Sequence, residues 1–174
     1  PSDNPLILHI ADMEQFYPLI KTDNAKIIAR AEALADVFWP GPLTMILPKA
    51  DNIPYETTGG LDTVAIRMPS HLVARALLQE CKMPIAAPSA NLSGRPSPTS
   101  ASHVIEDMNG RIEMIIDGGD VGIGVESTII DLTGEVPMLL RPGFVTPEML
   151  QQVLGTVETD AAVYRQVGKD VHPK

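Results

Sequence analysis

Aromatic side chains are scarce: Phe, Trp and Tyr make up 4% of the 174 residues, while hydrophobic residues together reach 44%. Packing must therefore rest on Val, Ile, Leu, Met and Ala, and one domain with a short tail suits this length. A single cysteine, Cys81, excludes an internal disulfide framework and suits a reducing compartment. It falls in the helical-looking HLVARALLQECK, where a buried small hydrophobe is expected rather than a nucleophile. Positive charge is also short, with 13 Lys and Arg against 22 Asp and Glu and a formal charge of −9. That balance argues against a surface gripping nucleic acid throughout, although Arg30, Arg67, Arg75, Arg95, Arg111 and Arg141 could still gather locally. No apolar run approaches membrane-spanning length, and no signal-peptide pattern opens the sequence. The expectation is a globular, cytoplasmic protein with no membrane partner.

What is present is an alternation of strands and helices. Pro1–Asn4 reads as a turn before the strand in PLILHI, and Ile27, Ala31, Leu34 and Phe38 recur at helical spacing, with Thr22 or Asp23 as the N-cap. Leu43–Leu47 and TVAIRMP read as strands separated by a loop over 49–62, and Ser70 is expected to cap a helix burying Val73, Ala76 and Leu77. PIA, from residue 84, is a short strand, and Ser100 or Ser102 starts a helix with Val104, Ile105 and Met108 inward. RIEMIIDGG, STIIDL and VPMLLRPG read as further strands. In TPEMLQQVLG, Thr146 is the N-cap, Pro147 lies in the first turn and Gly155 lies past the end. The fold class is α/β with a mixed sheet. Periodicity fades from Thr156, so 1–155 reads as the domain and 156–174 as linker or tail.

Polar residues collect where strands end. Asn4 and His9 flank the first strand, Thr63 and Arg67 bound another, Ser89, Asn91 and Ser97 lie in PIAAPSANLSGRPSPT, Ser127 opens a strand and Arg141 closes one. Strand ends of open α/β sheets bind ligands, although Ser, Asn and Pro also make ordinary turns. In TVAIR, alternation puts Thr63, Ala65 and Arg67 on one face and Val64 and Ile66 on the other. A guanidinium on such a face needs an anionic partner, either an internal Asp or Glu or a ligand. GGDVGIGVESTIIDL fails the dinucleotide fingerprint, because Ser127 stands where the third glycine belongs and a strand follows instead of a helix. His71, His103 and His172 read as solvent-facing. No His or Cys has metal-ligand spacing, and no nucleophile–base arrangement emerges from the spacing.

Seven stretches in order, NPLILHI, WPGPLTMILP, TVAIRMP, PIAAPSANLSGRPSPT, IIDGG, GVESTIIDL and LRPG, resemble the YrdC/Sua5 family of threonylcarbamoyl-AMP synthases. The resemblance implies a YrdC-like twisted mixed open sheet with flanking helices and a deep concave site. It implies that L-threonine, bicarbonate or CO2, and ATP with Mg2+ yield threonylcarbamoyl-adenylate and pyrophosphate for tRNA t6A modification. Matched residue by residue, it assigns His9, Arg67 and Ser127 to threonine, and Asn4, Thr63, Ser89, Ser97 and Arg141 to ATP, with Asn91 a neighbour. It also implies protein partners of the t6A pathway.

In the family, a segment with PT-(D/E)-T-x-Y-G and K-x-R motifs precedes the proline at which this sequence opens. A chain lacking that segment is expected to be inactive, and the tail resembles the linker of longer Sua5 proteins. Two other readings are an RNA-binding module, disfavoured by charge and low aromatic content, and the carbamoyl-adenylate domain of a hydrogenase-maturation protein.

Overall fold

The computed structural model describes residues 4–122, 124 and 126–163. In chain order the elements are β1 (Ile7–His9), a 3-10 turn (Tyr17–Leu19), α1 (Ala25–Phe38), β2 (Leu43–Pro48), α2 (Tyr55–Thr58), β3 (Thr63–Arg67) and α3 (Leu72–Cys81). They continue with β4 (Ile85–Ala87), α4 (Ala101–Met108), β5 (Thr128–Asp131), β6 (Met138–Arg141), α5 (Pro147–Leu154) and β7 (Glu158–Thr159). The strands form one sheet in the order β4-β1-β3-β2-β5-β6-β7. β1/β3, β2/β5 and β6/β7 are parallel, and β1/β4, β2/β3 and β5/β6 are antiparallel, so the sheet is mixed as expected.

Alternation divides the sheet into two unlike faces. Leu8, Val64, Ile66, Met45, Ile130 and Leu139 point to one side and are buried in a single cluster with α1 and α5. Helix α1 turns Ile27, Ala31, Leu34, Ala35 and Phe38 toward that cluster, the spacing seen in the sequence. Leu34 is fully buried, so Leu34→Ala should cost about 2–5 kcal/mol. The opposite face carries His9, Thr63, Ala65 and Arg67, which are only partly buried. That is the alternation read from TVAIR.

Several local expectations are corrected. The N-cap of α1 is Asn24, whose side chain accepts from the Lys26 N–H at 3.0 Å; Thr22 instead accepts from the Asn24 N–H. His71, not Ser70, precedes α3. That helix buries Leu78 and leaves Val73 and Leu77 more than 40% exposed. In α4 it is Asp107 that is buried while Ile105 is exposed. Cys81 is half-buried at the end of α3 rather than in the core. The loop over 49–62 contains the one-turn helix α2, which ends at Gly59 with φ 62°.

RIEMIIDGG forms no strand: the sheet ends at β4, the segment pairs with no neighbour, and Met114 and Ile116 are exposed. At the other edge, β7 adds to β6 and Val157 joins the core, so ordered structure runs beyond residue 155. The remainder of the 156–174 stretch, His172 and the first three residues of the opening turn lie outside the described residues. Thr146 caps α5 by accepting from the Met149 N–H at 3.3 Å, and Ser100 precedes α4, both as expected.

Candidate functional site

Strand direction decides which polar residues meet. His9 is the last residue of β1, Arg67 the last of the parallel β3, and the two are cross-strand partners. β2 runs antiparallel to β3, so its beginning, Leu43–Thr44, lies at the same end. β5 is parallel to β2 and starts there, just after Ser127, and the antiparallel β6 finishes there at Arg141. Five strands thus bring His9, Arg67, Thr44, Ser127 and Arg141 to one end of the sheet.

Their contacts form a directed network. Ser127 is buried, and its hydroxyl shares a 2.8 Å hydrogen bond with that of Thr44. Arg141 donates from Nε to the Ser127 carbonyl at 2.9 Å and from Nη2 to the Ser127 hydroxyl at 3.0 Å. Its Nη1 meets Glu126 Oε2 at 2.7 Å, and the Ser97 hydroxyl donates to Glu126 Oε1 at 3.2 Å. Arg67 donates from Nε to the Gly41 carbonyl at 3.1 Å, and among the described residues no carboxylate lies within ion-pair distance of it. Of the two partners the sequence left open for Arg67, the internal Asp or Glu is not found among the described residues.

Two glycines make this geometry possible. A Cβ on Gly41 would stand 2.3 Å from the Phe38 carbonyl oxygen, and one on Gly143 would stand 2.5 Å from that of Glu126. Gly41 thus lets the turn before β2 fold tightly enough to receive Arg67, and Gly143 lets the turn after Arg141 press against the start of β5. The Thr128 hydroxyl clamps the same turn, donating to the Val145 carbonyl at 2.8 Å and accepting from the Val145 N–H at 3.1 Å.

Burial shapes the charges. Desolvation, with a further contribution from the positive charge of Arg141, pushes the Arg67 pKa below its ordinary value. Desolvation also lowers that of Arg141, while Glu126 acts in the opposite sense. The His9 imidazole is shifted down, first by burial and then by Arg67, and its Nδ1 is buried without a partner among the described residues. It is therefore a neutral ring at pH 7, able to accept or donate one hydrogen bond.

The remaining candidates stand apart. Thr63 opens β3, so four strand steps, about 13 Å, separate it from Arg67. Asn4 precedes β1 at that same far end, and β4 runs antiparallel to β1, so Ser89 emerges there too. The loop after β4 begins at the far end and by Ser97 has reached Glu126 at the cationic end. Within it, Asn91 Nδ2 donates to the carbonyls of Leu92 at 3.0 Å and Arg95 at 2.9 Å, bracing the turn. Buried Asp107 of α4 accepts from the Leu92 N–H at 3.0 Å and pairs with Arg95. Sequence reasoning missed Thr44, Glu126, Gly41 and Asp107. Glu126 sits directly before Ser127 in GVESTIIDL, a signal that was present and unused.

A model of the Sua5/YciO/YrdC family, described as "Telomere recombination", matches residues 1–143. A threonylcarbamoyl-AMP synthase of Pyrococcus abyssi is 56% identical over 171 residues, covering 98% of this chain and 48% of the relative. The Bacillus subtilis protein of the same name is 51% identical over 174 residues, covering 99% and 49%. The crystal structure of P. abyssi Sua5 complexed with L-threonine superposes with a TM-score of 0.89 at 56% identity, over 94% of this chain and 47% of that one. The chain thus spans about half the length of the curated relatives it matches. With the family model over most of its length, relatives at 56% and 51% identity and the matching mixed sheet, the chain belongs to the Sua5/YciO/YrdC family.

Proposed function

We propose that this chain supplies the threonine- and phosphate-binding part of a threonylcarbamoyl-AMP synthase, which joins L-threonine, bicarbonate or CO2, and ATP into threonylcarbamoyl-adenylate and pyrophosphate. The observation that carries the proposal is Arg67, part-buried beside neutral His9 with no internal carboxylate among the described residues. With Nε committed to Gly41, its two Nη groups remain for a bidentate pair with the threonine carboxylate. His9 and Ser127 then orient the amine. The amine takes up CO2, and a carbamate oxygen attacks the α-phosphorus. The new O–P bond forms as the bond to pyrophosphate breaks. Such a displacement needs in-line positioning and charge stabilisation rather than a protein nucleophile.

On the nucleotide side, Ser97 and Arg141 receive phosphate oxygens. Asn4, Thr63 and Ser89, about one strand length away, hold the part of the nucleotide that extends along the open face. Mg2+ arrives with the ATP. The Ser97 and Ser127 hydroxyls are hard oxygen donors that would suit a cation carried by phosphates, and such a cation would neutralise phosphate charge. The product would pass, in the cytoplasm, to proteins that complete t6A on tRNA. The test is pyrophosphate release by full-length protein given ATP, L-threonine and bicarbonate. Threonine-dependent release is expected, and release indifferent to threonine overturns the reading.

A further inference from the structure

Glu126 has no part in the reaction just described, yet it stands at the centre of the cationic end. Two donors from different parts of the chain converge on its carboxylate, Ser97 at 3.2 Å on one oxygen and Arg141 Nη1 at 2.7 Å on the other. Both belong to the group assigned to ATP. The rest of the Arg141 guanidinium is fixed by Ser127, since Nε and Nη2 donate to the Ser127 carbonyl and hydroxyl at 2.9 and 3.0 Å. Arg141 therefore offers a ligand chiefly the Nη1 side, and a carboxylate already holds that side.

We propose that Glu126 is an internal stand-in for a phosphate, occupying the Ser97–Arg141 position until a polyphosphate displaces it. The inference rests on the reading that this end of the site receives ATP. A carboxylate and a phosphate accept from the same N–H and O–H donors, and like charge keeps them from sharing the position. Displacement is cheap on the Glu126 side: its side chain is 53% exposed and swings into water without a desolvation cost. Arg67 differs in having no such carboxylate among the described residues. An amino-acid carboxylate enters there without competition, whereas a polyphosphate must compete at Arg141. The same competition favours departure of pyrophosphate after the displacement step, as Glu126 returns.

Calorimetric titration of full-length wild-type and Glu126→Gln proteins tests this, with ATP and separately with inorganic pyrophosphate. Divalent cations are chelated so that only the charge of residue 126 differs. Glutamine keeps the size and an acceptor for Ser97 but removes the charge. Binding of both ligands should tighten by about three- to tenfold, the scale of a part-exposed ion pair, with threonine affinity unchanged. Equal or weaker binding of both ligands by the variant overturns the proposal. Glu126→Asp, which keeps the charge on a shorter arm, should tighten less than Glu126→Gln and serves as the measurement if the amide variant does not fold; unchanged or weaker binding there also overturns it. If wild-type protein binds neither ligand, with or without Mg2+, the underlying reading of an ATP site fails instead.

Discussion

At one end of the open sheet face, Ser127 and Thr44 are buried, Arg67 and Arg141 are part-buried, and side-chain hydrogen bonds tie Ser127 to both Thr44 and Arg141. At the other end, Asn4 and Ser89 are exposed and Thr63 is only partly covered. The first end is built before any ligand arrives: guanidinium orientation, hydroxyl direction and local charge are already set. The second offers polar groups that a ligand must order at its own entropic cost. A preorganised end suits the reacting groups, and a loosely held end suits the unreactive part of a long substrate.

The sharpest way to break this contrast is Arg67→Ala. Loss of a bidentate charge-assisted pair should lower kcat/KM for threonine by about a hundredfold or more, in steady-state pyrophosphate release. Activity with threonine that survives intact would remove Arg67 from its role. Gly41→Ala attacks the same end through the backbone, because the added Cβ meets the Phe38 carbonyl oxygen at 2.3 Å. It should cost about 1–3 kcal/mol in urea unfolding and weaken threonine binding by displacing the acceptor of Arg67 Nε.

Ser127→Ala leaves both Arg141 Nη2 and the buried Thr44 hydroxyl without their partner and should cost about 1–2 kcal/mol in urea unfolding, with a raised KM for threonine and for ATP. At the far end, Asn4→Ala and Thr63→Val should each raise the KM for ATP by only a few-fold, with threonine KM unchanged. Equal losses at the two ends would abolish the distinction between them. The smallest effect concerns pH. The folded-state pKa of His9 lies below its ordinary 6.5, so the unfolded chain takes up its proton first as pH falls. This stability is fully present above 6.5 and is lost as pH drops from there through the lowered value. Urea midpoints measured across that window should fall less steeply in His9→Gln than in the wild type.

Much of the fold can be read along the chain, since it depends on short-range pattern. The stripe of α1, the alternation of TVAIR and the Thr146–Pro147–Gly155 boundaries of α5 each follow from neighbours within a few residues. The misreadings have a common source. The segment 111–119 is apolar enough for a strand, yet a strand exists only where a partner supplies hydrogen bonds. Helix α3 has several apolar positions, and only Leu78 among them is buried, which its spacing alone does not single out. For the site, residue types at strand ends marked His9, Arg67, Ser127 and Arg141. The strand TVAIR already separated Thr63 from Arg67, but no local pattern indicated that Asn4 and Ser89 lie at Thr63's end of the sheet.

The sequence by itself determined the alternation that puts Val64 and Ile66 into a core and Arg67 out of it, because side-chain direction in a strand follows from backbone geometry alone. It also determined the chemistry available, hydroxyls, guanidinia and one imidazole with no nucleophile–base pair. The tertiary structure decided which of these groups meet. Sheet order and strand direction are long-range pairings, invisible to local pattern, and they gather the ends of β1, β3 and β6 with the beginnings of β2 and β5. Only that arrangement leaves Arg67 without a carboxylate among the described residues and gives Arg141 the carboxylate of Glu126. Burial makes an unmet charge costly, and so turns an ordinary strand-end arginine into a place for an anion.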